Sequence, residues 1–206
     1  FLTHGGHSYA VRGNKNALLD LHRKSVDSVT PLRDKYSTQF PDLTISYGDT
    51  PTCSVAEDFT EIDEIRPGNL VFYDVVQSEI GSCTLDQIAA SMACPVVAKY
   101  PERNEFVIYG GGVHLSKDSL TLSGGQKSFG KVVNLTENGW DTTETGAFLK
   151  SLSQEHGVVY APKEYLEQVQ IGDFIGVLPI HSCMTVDLNS SYLTLEGKTI
   201  SKFRFY

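Results

Sequence analysis

The sequence predicts two regions of different fold class, an α/β region followed by a mostly β region. Up to about residue 115, strand-like and helix-like segments alternate. Beyond about residue 125, short strand-like runs follow one another, separated by Gly, Asn, Ser and Lys. Alternating strands and helices are typical of α/β architecture, and closely spaced short strands are typical of a β domain. We therefore predict one region over residues 1–120 and a second over residues 121–206, with some strands shared.

The elements of the first region follow from its periodicity. FLTHGGHSYA predicts a short strand that runs into a glycine turn. A helical stripe covers residues 15–40, where Pro31 would either start a second segment or kink the first. LTISYGDTPT predicts a strand over residues 43–46, and EIRPGNLVFYD predicts a turn followed by a strand. AASMACPVVAKYP and NEFVIYGGG predict two strands around a turn at residues 101–104.

The second region is predicted to consist of short strands. Its strand-like runs are KVVNL, GVVYAP, DFIGVLPI, MTVDL, YLTLEG and KTISKFRFY. The stretch LSGGQ at residues 122–126 matches a signature of ABC-transporter ATPases, but the chain contains no GxxxxGK[ST] phosphate loop. We therefore interpret LSGGQ as a flexible glycine turn.

Composition excludes several classes of function. A formal net charge of −8 argues against a nucleic-acid or anionic-membrane surface, and no apolar run approaches the ~18 residues of a membrane span. The four cysteines form no CxxC pair, which favours free thiols and a cytoplasmic protein. Because the chain opens on FLTHGG, in what reads as the middle of a strand, we expect it to be a piece of a longer protein.

Two turns carry the pattern of an anion site. YGDTPT and IRPGN each place Gly beside small polar residues next to a predicted strand. Free backbone N–H groups in such turns bind anions, although each turn alone is more often a plain connection. Two of them on neighbouring strands favour a phosphate-bearing cofactor.

His181 and Cys183 lie two residues apart in the apolar run VLPIHSCMTVD. In an extended strand, residues i and i+2 point to the same face, so the two side chains would project together. Imidazole and thiolate are good zinc ligands, and a catalytic zinc site leaves coordination positions open. The alternative is a buried thiol beside a hydrogen-bonded histidine on a core strand.

Two further polar groups stay open to a functional or a structural interpretation. His4, His7 and Tyr9 lie among glycines in THGGHSY and suit either a contact with a flat ligand or a structural role. Glu155 and His156 in SQEHGVV suit either a polar strand entry or the mouth of a site.

Six short pieces occur in an order that resembles one enzyme family: HGGHSY, YGDTPT, EIRPGNLVFYD, GGGVHLSKD, QEHG and LPIHSC. Together they resemble the second half of the D-serine dehydratase and D-threonine aldolase family, pyridoxal-phosphate enzymes related to bacterial alanine racemase. The resemblance spans nearly the whole chain. It implies the C-terminal strands of a partial TIM-like (β/α) barrel, followed by a mostly β C-terminal domain.

The resemblance also implies site residues. Gly68 and Asn69 would bind the cofactor phosphate through backbone N–H groups, and Arg66 would lie near the pyridine nitrogen. The complete set implied at pyridoxal 5'-phosphate is Tyr9, Gly48, Asp49, Thr50, Arg66, Gly68 and Asn69. His181 and Cys183 match the metal pair, which is His-x-Cys with zinc in the dehydratases and His-x-Asp, suited to manganese, in the aldolases. Ile180 departs from the Asn that the family often has before this histidine.

The lysine that forms the Schiff base lies on the first barrel strand of this family. None of the eleven lysines of this chain occupies a matching context, so the catalytic residue stays unassigned. The resemblance therefore implies a missing N-terminal barrel segment, and a homodimer, since protomers of this superfamily commonly build active sites at a dimer interface.

The activity that the resemblance implies is conversion of D-serine to pyruvate and ammonia by a lyase that acts on a small D-amino acid. Cys183 favours this dehydratase activity over a D-threonine aldolase-like retro-aldol cleavage. A non-catalytic fragment stays open as well, and so does a racemase, in which a metal pair would be superfluous.

Overall fold

The computed structural model describes residues 1–202. Contacts divide the chain into two compact units, the first ending at Gln87 and the second beginning at Ile88. The sequence pattern predicts this change near residue 120 instead. The difference arises because the two strands between residues 92 and 109, which the pattern assigns to the α/β region, pair with strands of the second unit.

The first unit is an α/β structure. Within residues 1–87, three strands form a parallel sheet in the order β1-β2-β3, and helices separate or follow them. The alternation of parallel strands and helices confirms the α/β prediction for this region, and the TIM-like barrel stays a prediction. The elements are β1 (Leu2–His4), α1 (Lys15–Tyr36), β2 (Ser46–Gly48), α2 (Thr50–Val55), β3 (Glu64–Ile65) and α3 (Val75–Ile80), with 3-10 turns at Gly6–Ala10 and Leu85–Gln87.

Helix α1 lies where the apolar stripe predicts a helix, and the structure adds a cap that was not predicted from the sequence. The side chain of Asn14 caps it by accepting a hydrogen bond from the N–H of Ala17 at 3.1 Å. Leu18 and Val29 on the predicted stripe are buried. The helix continues through Pro31, so the alternative in which this proline starts a second segment is wrong.

The strand predicted after the IRPGN turn is not found at that position. Residues 70–72 form turns, and the carbonyl of Asn69 accepts from the N–H groups of Phe72 and Tyr73. The strand lies instead before the turn, as β3. The run LVFYD suggests a strand because most of its residues are apolar. In the structure Leu70 and Val71 are exposed and are not paired in a sheet.

The second unit is built around antiparallel strands. Between residues 88 and 202 its strands are β4 (Met92–Tyr100), β5 (Glu105–Tyr109), β6 (Leu120–Thr121), β7 (Lys127–Ser128), β8 (Gly130–Thr136), β9 (Gly139–Asp141), β10 (Phe148–Leu152), β11 (His156–Tyr160), β12 (Phe174–Pro179), β13 (Ser191–Leu193) and β14 (Thr199–Ser201). Its helices are α4 (Gly112–Leu115), α5 (Lys163–Gln168) and α6 (Ser182–Leu188), with a 3-10 turn at Pro101–Arg103.

Six of these strands close into an antiparallel barrel. The order is β10-β11-β5-β4-β12-β8, and β8 pairs with β10 through Lys131 and Phe148 to close the circle. The prediction of a mostly β second region is thereby confirmed. Side chains alternate along the strands, so Phe106 and Ile108 of β5 and Val177 of β12 are all completely buried in the core.

The predicted short strands of the second region are found with one exception. MTVDL lies in α6 instead of a strand, and LSGGQ is the turn of the β6–β7 hairpin, as predicted. The strand predicted over KTISKFRFY is found at β14, and residues 203–206 of that run lie outside the described part of the chain. None of the helices within residues 1–202 has the length and apolar character needed to cross a membrane.

Candidate functional site

The turn after β2 is organised by the carboxylate of Asp49. This residue is 1% exposed and caps α2. One carboxylate oxygen accepts from the hydroxyl of Ser8 at 2.8 Å and from the N–H of Thr52 at 2.8 Å, and the other accepts from the hydroxyl of Thr52 at 2.7 Å. Because the protein supplies these donors, Asp49 shapes the turn through its carboxylate.

A hydrogen bond joins the two turns that the sequence singles out. The N–H of Asn69 donates to the hydroxyl oxygen of Thr50 at 2.9 Å, and both residues are buried. The side-chain amide of Asn69 donates to Asp74, whose other oxygen accepts from the N–H of Gln77 at the start of α3. The structure therefore brings the YGDTPT and IRPGN turns together, as the prediction of a shared site requires.

Tyr9 belongs to the same group of residues. Its ring lies 6.4 Å from that of His4. Burial raises the pKa of the Tyr9 hydroxyl above its usual value, and an interaction with Thr50 partly offsets that effect. We call Tyr9, Asp49, Thr50, Asn69 and Asp74 the turn cluster.

Gly68 and Gly48 have opposite surroundings. A Cβ built on Gly68 meets no atom within 4 Å, and the residue is exposed. A Cβ built on Gly48 would lie 3.0 Å from Cβ and 3.2 Å from Cζ of Arg66. Gly48 therefore makes room for the arginine, whereas Gly68 leaves open space beside its turn.

The guanidinium of Arg66 lies across the strands of the parallel sheet. It donates from Nε to the hydroxyl of Ser46 at 2.6 Å and from Nη2 to the carbonyl of Thr3 at 2.8 Å. It also lies 3.6 Å from Glu64. These bonds fix a permanent cation at the sheet, next to the end of β2.

His181 and Cys183 do not lie together on a strand. The strand β12 ends at Pro179, His181 is the N-cap of α6 with φ −132° and ψ 101°, and Cys183 lies within the first turn of that helix. The prediction that these two side chains share one face of an extended strand is therefore wrong. The error has a local cause, because the β-branched residues after Cys183 suggest a strand where the chain turns into a helix.

The imidazole of His181 has an acidic partner that the sequence pattern did not reveal. Its Nδ1 lies 3.1 Å from a carboxylate oxygen of Asp118, and both side chains are 45% exposed. Asp118 stands in the piece GGGVHLSKD, which carries the family resemblance, but 63 residues separate it from the histidine. No short-range pattern could have joined them.

The remaining polar groups are not assembled into a metal site. His156 begins β11, and its ring lies 5.6 Å from that of Tyr109. His7 is part of a 3-10 turn that follows β1. Within residues 1–202, no group of three or more His, Cys, Asp or Glu side chains is placed to hold a metal ion.

Comparisons with known proteins identify the family. The family model described as a serine dehydratase domain matches residues 89–195. The chain is 30% identical over 219 aligned residues to the D-serine dehydratase of Dictyostelium discoideum, in an alignment that covers 98% of this chain and 52% of that protein. The chain thus spans about half the length of the curated relatives it matches.

Solved structures show the same likeness. An alanine racemase-like protein from Idiomarina loihiensis is 30% identical, with a TM-score of 0.82 over 97% of this chain and 53% of that one. The D-threo-3-hydroxyaspartate dehydratase from Delftia sp. is 26% identical, with a TM-score of 0.83 over 97% of this chain and 54% of that one. A cysteine-to-alanine mutant of a D-threo-3-hydroxyaspartate dehydratase, 24% identical to this chain, has the same fold with a TM-score of 0.85 and is in a metal-free form. The chain therefore belongs to the serine dehydratase domain family, which confirms the family predicted from the six short pieces.

Proposed function

We propose that this chain is part of a D-amino-acid lyase that uses pyridoxal phosphate and zinc and converts D-serine to pyruvate and ammonia. The observation that carries this proposal is the likeness to a D-serine dehydratase at 30% identity along 98% of the chain. The turn that carries Gly68 and the His181–Cys183 pair support it, because the turn leaves open space beside its backbone for a phosphate and the pair offers nitrogen and sulfur donors of the kind that zinc binds.

The turn that carries Gly68, next to the turn cluster, leaves room for a phosphate. When bound, pyridoxal phosphate supplies an electron-withdrawing ring that makes the α-proton of an amino acid acidic. The N–H of Asn69 already donates to Thr50. We therefore propose that the phosphate contacts the backbone N–H of Gly68, which has open space beside it. Thr50 and Asn69 then hold the shape of the turn. Asp49 also holds the shape of its turn, through the hydrogen bonds that it accepts from Ser8 and Thr52.

Arg66 and Tyr9 are proposed to contact the ring. The hydrogen bonds from Arg66 to Ser46 and Thr3 orient its guanidinium, which favours a neutral pyridine nitrogen beside it. Tyr9 is 41% exposed, so part of its side chain can be reached by a ligand. Both residues would position the cofactor without taking part in proton transfer.

His181 and Cys183 are proposed to hold zinc. Their nitrogen and sulfur donors fit that ion, although they come from the N-cap and the first turn of α6 instead of from a strand. When bound, zinc with open positions supplies Lewis acidity toward the β-hydroxyl of the substrate, which is otherwise a poor leaving group. The hydroxyl leaves as water and a water is taken up when ammonia is released, so D-serine gives pyruvate and ammonia with no other reactant.

The lysine that anchors the cofactor is proposed to come from another segment of the protein. Within residues 1–87 the three lysines, Lys15, Lys24 and Lys35, all lie on α1, and the strands β1, β2 and β3 carry none. The same absent lysine is the base that we propose for the α-proton. We also propose that the complete protein is a homodimer in the cytoplasm, where reducing conditions suit the thiols of Cys53 and Cys94.

The test of this function uses the complete protein that carries this chain, loaded with pyridoxal phosphate and zinc. We expect pyruvate to form from D-serine and not from L-serine, and removal of zinc by a chelator to lower the rate at least tenfold. Glycine and acetaldehyde formed from D-threonine, without pyruvate from D-serine, would establish the aldolase instead. A protein that shows neither turnover nor the visible absorbance of bound cofactor would be a non-catalytic binding module.

A further inference from the structure

The carboxylate of Asp118 contacts the nitrogen of His181 that lies nearer the backbone. The distance from Asp118 Oδ2 to His181 Nδ1 is 3.1 Å. An ionised carboxylate can only accept a hydrogen bond, so a neutral imidazole in this contact carries its proton on Nδ1. The lone pair available to a metal is then the one on Nε2.

The segment that carries Asp118 is held in an unusual conformation. Ser116 has φ 67° and ψ −174°, a region that residues other than glycine rarely adopt. Its hydroxyl accepts from the N–H of Asp118 at 3.2 Å and lies 3.4 Å from the carboxylate oxygen that faces the histidine. Ser116 itself is 8% exposed, so the residue with this unusual backbone is buried, whereas the side chain of Asp118 is 45% exposed.

Helix α6 and the residue that follows it hold the two residues that precede Ser116. The hydroxyl of Thr185 donates to the carbonyl of Leu115 at 3.0 Å, and the side-chain amide of Asn189 donates to the carbonyl of His114 at 3.2 Å. The helix that carries Cys183 is therefore tied to the residues directly before Ser116 and Asp118. Hydrogen bonds therefore join Asp118 to His181, and helix α6, which carries Cys183, to the residues before Asp118.

We propose that Asp118 is a positioning residue for the metal, which fixes the tautomer and the ring orientation of His181 so that Nε2 faces the ion. This inference rests on the proposed zinc role of His181 and Cys183. A histidine that ligates a metal commonly donates its other N–H to a carboxylate, and loss of that carboxylate typically weakens metal binding about 10–100-fold. Asp118 supplies this carboxylate from a distant part of the chain.

The test measures zinc affinity by competition with a chelating dye in the purified complete protein. Asp118→Ala is expected to bind zinc about 10–100-fold more weakly than the wild type, while His181→Ala loses binding altogether. Asp118→Asn keeps the shape of the side chain and is expected to fall between the wild type and Asp118→Ala. The matched control is Asp141→Ala, because Asp141 is exposed and its carboxylate accepts from Thr143 alone among the contacts of the described chain.

A second readout needs no metal. In protein labelled with ¹⁵N at histidine, the signals that disappear in His181→Ala identify this ring. Its Nδ1–H form is expected in the wild type, with a shift toward the Nε2–H form in Asp118→Ala. Unchanged zinc affinity and an unchanged tautomer in Asp118→Ala would overturn the positioning role while leaving the proposed function in place. A wild type that binds no zinc would overturn both.

Discussion

The backbone N–H of Asn69 donates to the hydroxyl oxygen of Thr50 across 2.9 Å, so the turn that follows β2 is bonded to the turn that follows β3. Both residues are buried. The bond uses the same backbone N–H of Asn69 that the family resemblance implies for a phosphate, and it links two members of the turn cluster.

Replacing Thr50 tests this bond. Thr50→Val keeps the shape of the side chain but removes the acceptor, which leaves the buried N–H of Asn69 without its partner. We expect the free energy of unfolding to fall by about 1–3 kcal/mol, measured by urea denaturation. Thr38→Val is the control, because Thr38 is exposed and should change stability by less than ~0.5 kcal/mol. Equal stability of the two variants would contradict the role of this bond.

The two glycines of the candidate phosphate site should respond differently to alanine. Gly68→Ala introduces a Cβ into open space, so stability should change by no more than about 1 kcal/mol. Gly48→Ala forces a Cβ against Arg66 at 3.0 Å and should cost about 1–3 kcal/mol.

Although Gly68→Ala should leave stability nearly unchanged, it should lower the affinity for pyridoxal phosphate at least tenfold, because its Cβ would enter the open space that we propose for the phosphate. The affinity is measured from the absorbance of the bound cofactor. If this variant binds the cofactor as tightly as the wild type, the phosphate does not approach Gly68.

Substitutions of Ser116 should change both the free energy of unfolding and the affinity for zinc. Ser116→Gly relieves the strained backbone and is expected to raise the free energy of unfolding by about 1 kcal/mol, whereas Ser116→Ala retains the strain and loses the hydroxyl. Both variants remove the hydroxyl that contacts the N–H and the carboxylate of Asp118, so zinc affinity should fall in both. Thermal denaturation and dye competition measure the two effects. A glycine variant that is less stable than the alanine variant would rule out the strain.

Stability should fall at alkaline pH because of Cys94. Burial raises the pKa of the Cys94 thiol to about 12, from an ordinary value of 9.0. The unfolded chain therefore loses this proton before the folded chain does, so the stabilisation is complete below pH 9 and is lost as the pH rises toward 12. The expected slope from this group is at most about 1.4 kcal/mol per pH unit.

Cys94→Ala measures that contribution. Its stability should depend less steeply on pH between about 9 and 11 than that of the wild type, in urea denaturation at each pH. Burial also raises the pKa of Tyr165 to about 12, but this tyrosine is present in both proteins and cancels in the comparison. Parallel pH profiles would show that the thiol ionises equally in the folded and unfolded chains.

Much of the candidate site could be anticipated, and the exceptions have a common cause. Turn chemistry and the family resemblance single out Thr50, Asn69 and Gly68, and the structure joins the first two directly. Asp118 was missed because its partner His181 lies 63 residues away. The helix around Cys183 was missed for a related reason. Residues such as Thr185 and Val186 favour strands, but here Thr185 bonds to the carbonyl of Leu115.

Local sequence was enough to establish the order of the two fold classes, most of the strands and helix α1, because side-chain periodicity acts between residues a few positions apart. Short pieces in a recognisable order were enough to establish the family. Three outcomes required the folded chain: β4 and β5 belong to the six-stranded barrel, α6 replaces a strand, and Asp118 meets His181. These outcomes depend on hydrogen bonds and packing between distant segments, and a local pattern does not indicate which distant segments come into contact.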